Sequence, residues 1–268
     1  MDRSRAHAVR FSGSGEPLVI FGHGIGGHQD QWAPVVEAVA KQHRVMTFGI
    51  AGATDTDRSL FSPARHGSIL GYADDLSLLC AELNVRGAIY VGHSLSAMAG
   101  ALASAADPGL FSKLVLLNGS PRYVDDPSQG YVGGLSSEQV DQILGAVASD
   151  YAAWSSGFAA SMMGNPERPS LTNAFARSLL EYDPRVAAVM VRAAFSSDFR
   201  AHVAKVDAPT LVLQSTDDAA VPMQTAKWLA AHLPRAELST LSTTGHFPHV
   251  VAPAEVIDAL ARFGVGRA

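Results

Sequence analysis

The run Ala88-Ile89-Tyr90-Val91-Gly92-His93-Ser94-Leu95-Ser96-Ala97-Met98-Ala99-Gly100 decides how the rest of the chain reads. Four apolar, β-prone residues (88–91) meet Gly92. His93 and Ser94 follow, and then small, helix-compatible residues run through Ala106. This is the pattern of a strand, a sharp turn and a helix, with Ser94 at the apex. In such a nucleophile elbow the serine backbone is strained, so the residues two before and two after it must be small. Gly92 meets that demand, whereas Ser96 stands where the pattern G-x-S-x-G has its second glycine. Taken alone, the motif reads equally as a nucleophilic serine and as a serine closing an ordinary strand–helix loop. Partners elsewhere in the chain must separate the two.

Working outward, apolar strand-like runs alternate with helical periods. Val9-Arg10-Phe11 reads as an edge strand, and Pro17 to Phe21 and Arg44 to Phe48 as inner strands. Gln31 to Ala40 and Ile69 to Leu83 read as helices, and Leu114 to Asn118 as another buried strand. The rhythm predicts an α/β fold, a mostly parallel sheet with helices on both faces. It stops at Ser120-Pro121. From Arg122 to Ala204 no strand is evident, and four helical segments are expected at Ser136–Ala148, Asp150–Met163, Ser170–Leu180 and Pro184–Phe195. The rhythm resumes at Ala208 to Gln214, then a helix (Gln224–His232), a strand (Ala236–Leu241) and a terminal helix from about Ala254. The expected organisation is therefore a core of 1–121 and 205–268 carrying a helical insertion, 122–204. Placed after a strand end, that insertion would roof the mouth of the sheet and make an apolar pocket over Ser94.

Composition bounds the partners. The chain has 268 residues, 47% of them hydrophobic and 17% charged, which suits one α/β domain with an insert and argues against disorder. A net charge of −5 with no basic cluster makes nucleic acid and anionic membranes unsuitable partners. No apolar run reaches membrane-spanning length, and the charged N-terminus has no secretory character. Cys80 is the single cysteine, so no internal disulfide forms; a cytoplasmic location is expected.

After the second strand comes Gly22-His23-Gly24-Ile25-Gly26-Gly27. Gly22, Gly24 and Gly27 fit G-x-G-x-x-G numerically, but no acidic residue follows at a plausible second-strand end, as a dinucleotide site requires, and the loop has no lysine. The favoured reading is a glycine loop that points backbone amides at an oxyanion. A serine hydroxyl needs a base oriented by a carboxylate. In hydrolases of this architecture the chain order is serine, acid, histidine, each just past a strand. Ser94, then Asp217 or Asp218, then His246 satisfy that order. This placement lifts His246 above His23, His28, His43, His202 and His249. Adjacent acids cannot both face the imidazole, and the other is expected to be a turn residue bonding local amides.

His23-Gly24-Ile25-Gly26, Gly92-His93-Ser94-Leu95-Ser96-Ala97-Met98, Ser120-Pro121-Arg122-Tyr123 and Gly245-His246-Phe247-Pro248-His249 together resemble the RsbQ-like branch of the α/β-hydrolase superfamily. That branch holds a bacterial stress regulator and the plant karrikin and strigolactone receptors. The likeness covers nearly the whole chain, including Tyr151 to Phe158 and Phe195-Ser196-Ser197-Asp198. The resemblance implies that Ser96 is normal in the motif and that Asp218, four residues after Gln214 and four before Pro222, is the acid. It implies an oxyanion hole from the amides of Ile25 and Leu95, and a pocket lined by Ile25, Leu135, Phe158, Phe195 and Ala219. Ile25 departs from the usual phenylalanine and Leu135 from a common aromatic, so a less aromatic pocket is expected. The implied function is a serine hydrolase for a small, largely apolar ester or lactone, without metal or cofactor. The alternative is a signalling protein that binds or slowly hydrolyses such a ligand and acts on a protein partner, a PAS-domain phosphatase in the bacterial case. An epoxide hydrolase or dehalogenase would need a carboxylate at position 94.

Overall fold

The computed structural model describes residues 2–266; residues 1, 267 and 268, which the expected core segments include, lie outside the described residues. Seven strands form one sheet: β1 (Arg10–Ser12), β2 (Val19–Gly22), β3 (Val45–Phe48), β4 (Ala88–His93), β5 (Phe111–Leu117), β6 (Thr210–Asp217) and β7 (Ala236–Thr244). Their order is β1-β3-β2-β4-β5-β6-β7, all parallel except β1, which pairs antiparallel with β3.

Alternation along the inner strands sends side chains to two buried faces, which is why these strands read as continuous apolar runs. Val19, Phe21, Ile89, Val91, Val115, Leu117, Leu211 and Leu213 pack on one face against helices α1 (Ala33–Val39) and the C-terminal Pro253–Arg262. Ile20, Met46, Tyr90, Leu114, Leu116 and Val212 face the other way. There they meet α2 (Ile69–Glu82), α3 (Leu95–Ala106) and the helix Met223–His232. Gly100 lets α3 settle on β4, since a Cβ there would overlap the Tyr90 ring. The segment expected as one helix over 31–40 instead opens with a 3-10 turn, Gln29–Trp32. Its N-cap is His28, and Pro34 stands in the first turn of α1, where a missing N–H costs nothing.

Between β5 and β6 lie α4 (Ser137–Ser149), α5 (Tyr151–Met163), α6 (Pro169–Leu180) and α7 (Pro184–Phe195), within about a residue of the expected bounds. Their apolar stripes meet in a third core (Val140, Ala159, Phe175, Leu179 and Val191 among others). That core also takes in Ala220, Val221 and Phe247 from loops at the sheet's C-terminal edge. Chain departure and return are joined by ion pairs: Asp198 accepts from Arg122 at 2.6 Å and from Arg200 at 2.8 Å, and Arg200 also reaches Asp126 at 2.9 Å. The strand order changes direction between β2 and β4. The loops after these strands therefore flank a crevice at their C-terminal ends, the usual place for a ligand in an open parallel sheet.

Candidate active site

Ser94 sits between the last residue of β4 and the first of α3 with φ 54° and ψ −118°, a conformation side-chain-bearing residues rarely adopt. The sharp turn brings the helix start back over the strand. A Cβ at Gly92 would lie 2.5 Å from the Ser96 carbonyl oxygen and 2.7 Å from the Ala97 nitrogen, so only glycine fits there. Position 96 is less demanding. The buried Ser96 hydroxyl donates to the His23 carbonyl at 2.6 Å, tying the elbow to the glycine loop after β2. Gly24 in that loop is equally constrained, because a Cβ would stand 2.9 Å from the Cβ of Ser94.

His246 joins the other two groups. Its Nε2 is 2.9 Å from Ser94 Oγ, and its Nδ1 lies 2.9 and 3.1 Å from the two carboxylate oxygens of Asp218. A neutral ring that accepts the serine proton on Nε2 must carry its own hydrogen on Nδ1, and Asp218 accepts that hydrogen. The Asp218 side chain is fully buried. Its oxygens also accept from the amides of Ala220 (2.8 Å) and Val221 (3.2 Å) and from Gln214 Nε2 (3.3 Å). The expectation that the second acid would be the turn residue is thus corrected. Asp218 serves both the imidazole and the local amides, while Asp217 is exposed and its carbonyl accepts from the Gly245 amide at 2.7 Å.

A small cavity of about 20 Å³ lies over Ser94 and His246. Ile25, Phe158 and Phe195 line it, joined by Tyr123, Met162, Ala194, Ala220 and Phe247. Two residues expected in the lining are not in it. The turn closed by Asp218 leaves Ala219 exposed and points the next residue, Ala220, inward. Leu135 is half-buried in a bridge with Val124, its amide bonded to the Tyr123 carbonyl. Across that pairing Tyr123 is the side chain in the cavity, packed on Phe195 with ring centroids 4.7 Å apart. Burial pushes the Tyr123 phenol above its usual pKa, partly offset by the Ser94 hydroxyl, so it is a neutral donor. Tyr123 follows the strand-ending Ser120-Pro121 closely, and that position was the signal available for it. Met162 and Ala194 had none, since a helical stripe does not reveal which of its members faces a cavity.

The amides of Ile25 and Leu95 have no hydrogen-bond partner among the described residues, and both flank Ser94. Of the other histidines, His28 lies 3.1 and 3.2 Å from Asp30 and Asp55, His43 bonds the Pro17 carbonyl, and neither His202 nor His249 lines the cavity over Ser94. His23, His93 and His249 are fully buried, and burial lowers each pKa, that of His249 to about 3. Among the described residues no group of three or more His, Cys, Asp or Glu side chains is disposed to hold a metal ion. No described helix is long and apolar enough to cross a membrane.

Comparison with known proteins agrees with this architecture. The family described as the alpha/beta hydrolase fold matches residues 17–253. The chain is 37% identical to karrikin insensitive 2 receptor CA of Petunia hybrida over 258 residues, covering 96% of this chain and 95% of that one. It is 38% identical over 259 residues to a probable esterase of Oryza sativa subsp. japonica, with the same two coverages. It is 33% identical over 255 residues to a strigolactone esterase of Arabidopsis thaliana, covering 95% and 94%. Among solved structures, a hydrolase from Oleispira antarctica superposes with a TM-score of 0.94 at 26% identity over 98% of this chain and 96% of that one. With that matched span and these relatives, the chain belongs to the alpha/beta hydrolase family.

Proposed function

We propose that this protein is a serine hydrolase acting on a small, largely apolar ester or lactone. The observation that carries this reading is His246 held between Ser94 and Asp218 at 2.9 Å on either side, beneath an apolar cavity. Ser94 attacks the carbonyl while His246 takes its proton, and the same proton goes to the leaving group. A water activated by His246 then releases the acyl group. Asp218 holds the tautomer and stabilises the imidazolium. The free amides of Ile25 and Leu95 receive the developing oxyanion, each donor contributing about 3 kcal/mol. Tyr123, Phe158, Met162 and Phe195 wall the small apolar cavity, which restricts the substrate to a compact one, and residues 122–204 act as a lid. A cytoplasmic location belongs to the same proposal, supported by a chain with a single, buried cysteine.

The test is turnover of p-nitrophenyl esters together with intact-mass detection of a fluorophosphonate adduct. Wild type gains one adduct; Ser94→Ala gains none and loses turnover by roughly a thousandfold or more. Turnover that survives the substitution refutes the assignment.

A second reading, a receptor in which ligand binding or slow hydrolysis alters the lid surface, is favoured by the 37% identity to a karrikin insensitive 2 receptor. A protein partner, such as a PAS-domain phosphatase, belongs to that reading. Pull-down with and without a hydrolysable lactone tests it: ligand-dependent capture supports the receptor role, and ligand-independent results oppose it.

A further inference from the structure

We propose that His93, the residue before the nucleophile, is a positioning residue for His246, acting by a hydrogen bond to its backbone carbonyl with Asn118 as a second donor. The inference rests on the hydrolase reading above.

His93 Nε2 lies 2.7 Å from the His246 carbonyl oxygen, and Asn118 Nδ2 lies 3.1 Å from the same oxygen. Both side chains are fully buried. A carbonyl only accepts, so His93 carries its hydrogen on Nε2. Its Nδ1, which has no partner, is then a bare lone pair and not a stranded N–H. This leaves less to be lost by burial than an orphaned donor would. The ring is enclosed by aromatic neighbours, with centroids 4.9 Å from His246, 4.7 Å from Phe247 and 4.6 Å from His249, so it has one place to be.

Asn118 is fixed from the other side. It directly follows β5 with φ 47°, and its Oδ1 accepts from the Ser215 amide at 2.9 Å while Nδ2 reaches Ser215 Oγ at 3.0 Å. The His246 carbonyl is therefore gripped from the ends of β4 and β5, and through Asn118 from β6. The loop carrying the base has no strand of its own at that point. Among the bonds that hold it, the one to His93 ties it directly to Ser94's immediate neighbour.

Catalysis is sensitive to this register, because a displacement of about 1 Å in a proton-transfer pair costs on the order of a hundredfold in rate. A merely structural histidine would affect folding in proportion to its packing. A positioning donor affects kcat in proportion to its hydrogen bond.

The experiment compares three variants in p-nitrophenyl acetate kinetics and thermal unfolding, with Ser94→Ala as the reference. His93→Phe keeps a packed ring and removes the donor. His93→Met and His93→Gln both lose the ring, but the Gln amide nitrogen can stand where Nε2 stood. The expected result is a kcat about 10- to 100-fold lower for Phe and Met, KM within about threefold, and recovery of most of that loss in Gln. A Phe variant with wild-type kcat overturns the proposal, as does loss in Gln equal to that in Met. Should the Phe variant not fold, the Gln–Met pair decides alone. If Ser94→Ala itself keeps turnover, the hydrolase reading falls as well. If Ser94→Ala is inactive while kcat ignores the donor at 93, only the positioning role falls.

Discussion

The backbone amide of His246 donates to the carbonyl of Met162 at 2.7 Å, so the end of α5 is hydrogen-bonded to the loop that carries the proposed base. Helix α5 ends at Met163 with Gly164 left-handed (φ 61°), and Asn165 Nδ2 bonds both Met163 O (2.6 Å) and Thr244 O (3.0 Å). The last carbonyls of a helix are unpaired within it and need partners. Here the loop that carries His246 supplies one, which ties that loop to the inserted helices.

Gly245 is where this contact is tightest. Its φ is +104°, and a Cβ would overlap the Met163 carbonyl oxygen. Gly245→Ala is expected to lower stability by about 2–4 kcal/mol and to cut esterase turnover by more than tenfold, since strain and clash both fall beside His246. Urea unfolding and p-nitrophenyl acetate kinetics check this; a variant with wild-type values in both would mean the loop can move off α5 at no cost.

Ser94 is strained in the fold, and glycine adopts φ 54° and ψ −118° without difficulty. Ser94→Gly is expected to be inactive and more stable than wild type by about 1 kcal/mol, relief of strain outweighing the larger entropy of the unfolded glycine. Denaturant midpoints measure it. A midpoint at or below that of wild type would show that the turn stores no strain.

Burial lowers the pKa of His7, His23, His93 and His249 in the folded state. The unfolded chain, with histidine near 6.5, binds these protons first, so stability is complete above that pH and falls as pH drops below it, by up to about 1.4 kcal/mol per unit for each group. For His249 the loss continues down to about pH 3. Carboxylates with lowered values, Asp75, Glu82, Glu138 and Asp198 among them, contribute only below about pH 5. The interval from about 6.5 to about 5 therefore belongs to the histidines. His249 stacks on Trp32 at 4.1 Å with neither ring nitrogen bonded, so His249→Phe should flatten the slope there by one proton. Unfolding free energy measured across that interval tests it; an unaltered slope would sink the assignment.

Phe158 stacks on Trp154 with centroids 4.6 Å apart and walls the cavity. Phe158→Ala should raise the kcat/KM ratio of p-nitrophenyl hexanoate to acetate by roughly tenfold, at a stability cost of about 1–3 kcal/mol because the ring is only half-buried. A chain-length series reads the outcome; an unmoved ratio would remove Phe158 from the wall that limits substrate size.

Much of this was legible beforehand, and the reason differs by element. Strands buried on both faces cannot avoid continuous apolar runs, so β2, β4 and β6 could be read directly; β5 starts at Phe111, ahead of the expected Leu114, because Ser112 and Lys113 interrupt its apolar run. The elbow could be read because its geometry permits only glycine at 92. Position 96 departs from the glycine pattern, as the resemblance allows, and its hydroxyl bonds the His23 carbonyl. Short turns of helix such as Pro63–His66 and Pro248–Val251 carry too few residues to show a period.

The chain by itself determined the alternation of layers, the strand ends at which Ser94, an acid at 217 or 218, and His246 stand, and the helical character of the insertion, because these depend on local periodicity and on backbone sterics a few residues long. Only the tertiary structure decided that Ala220 and not Ala219 faces the cavity, that Tyr123 takes the place expected of Leu135, and that His93 reaches the carbonyl of His246. Those outcomes depend on how segments separated by up to 153 positions are turned toward one another, and rotation of one packed element against another leaves no trace in local pattern.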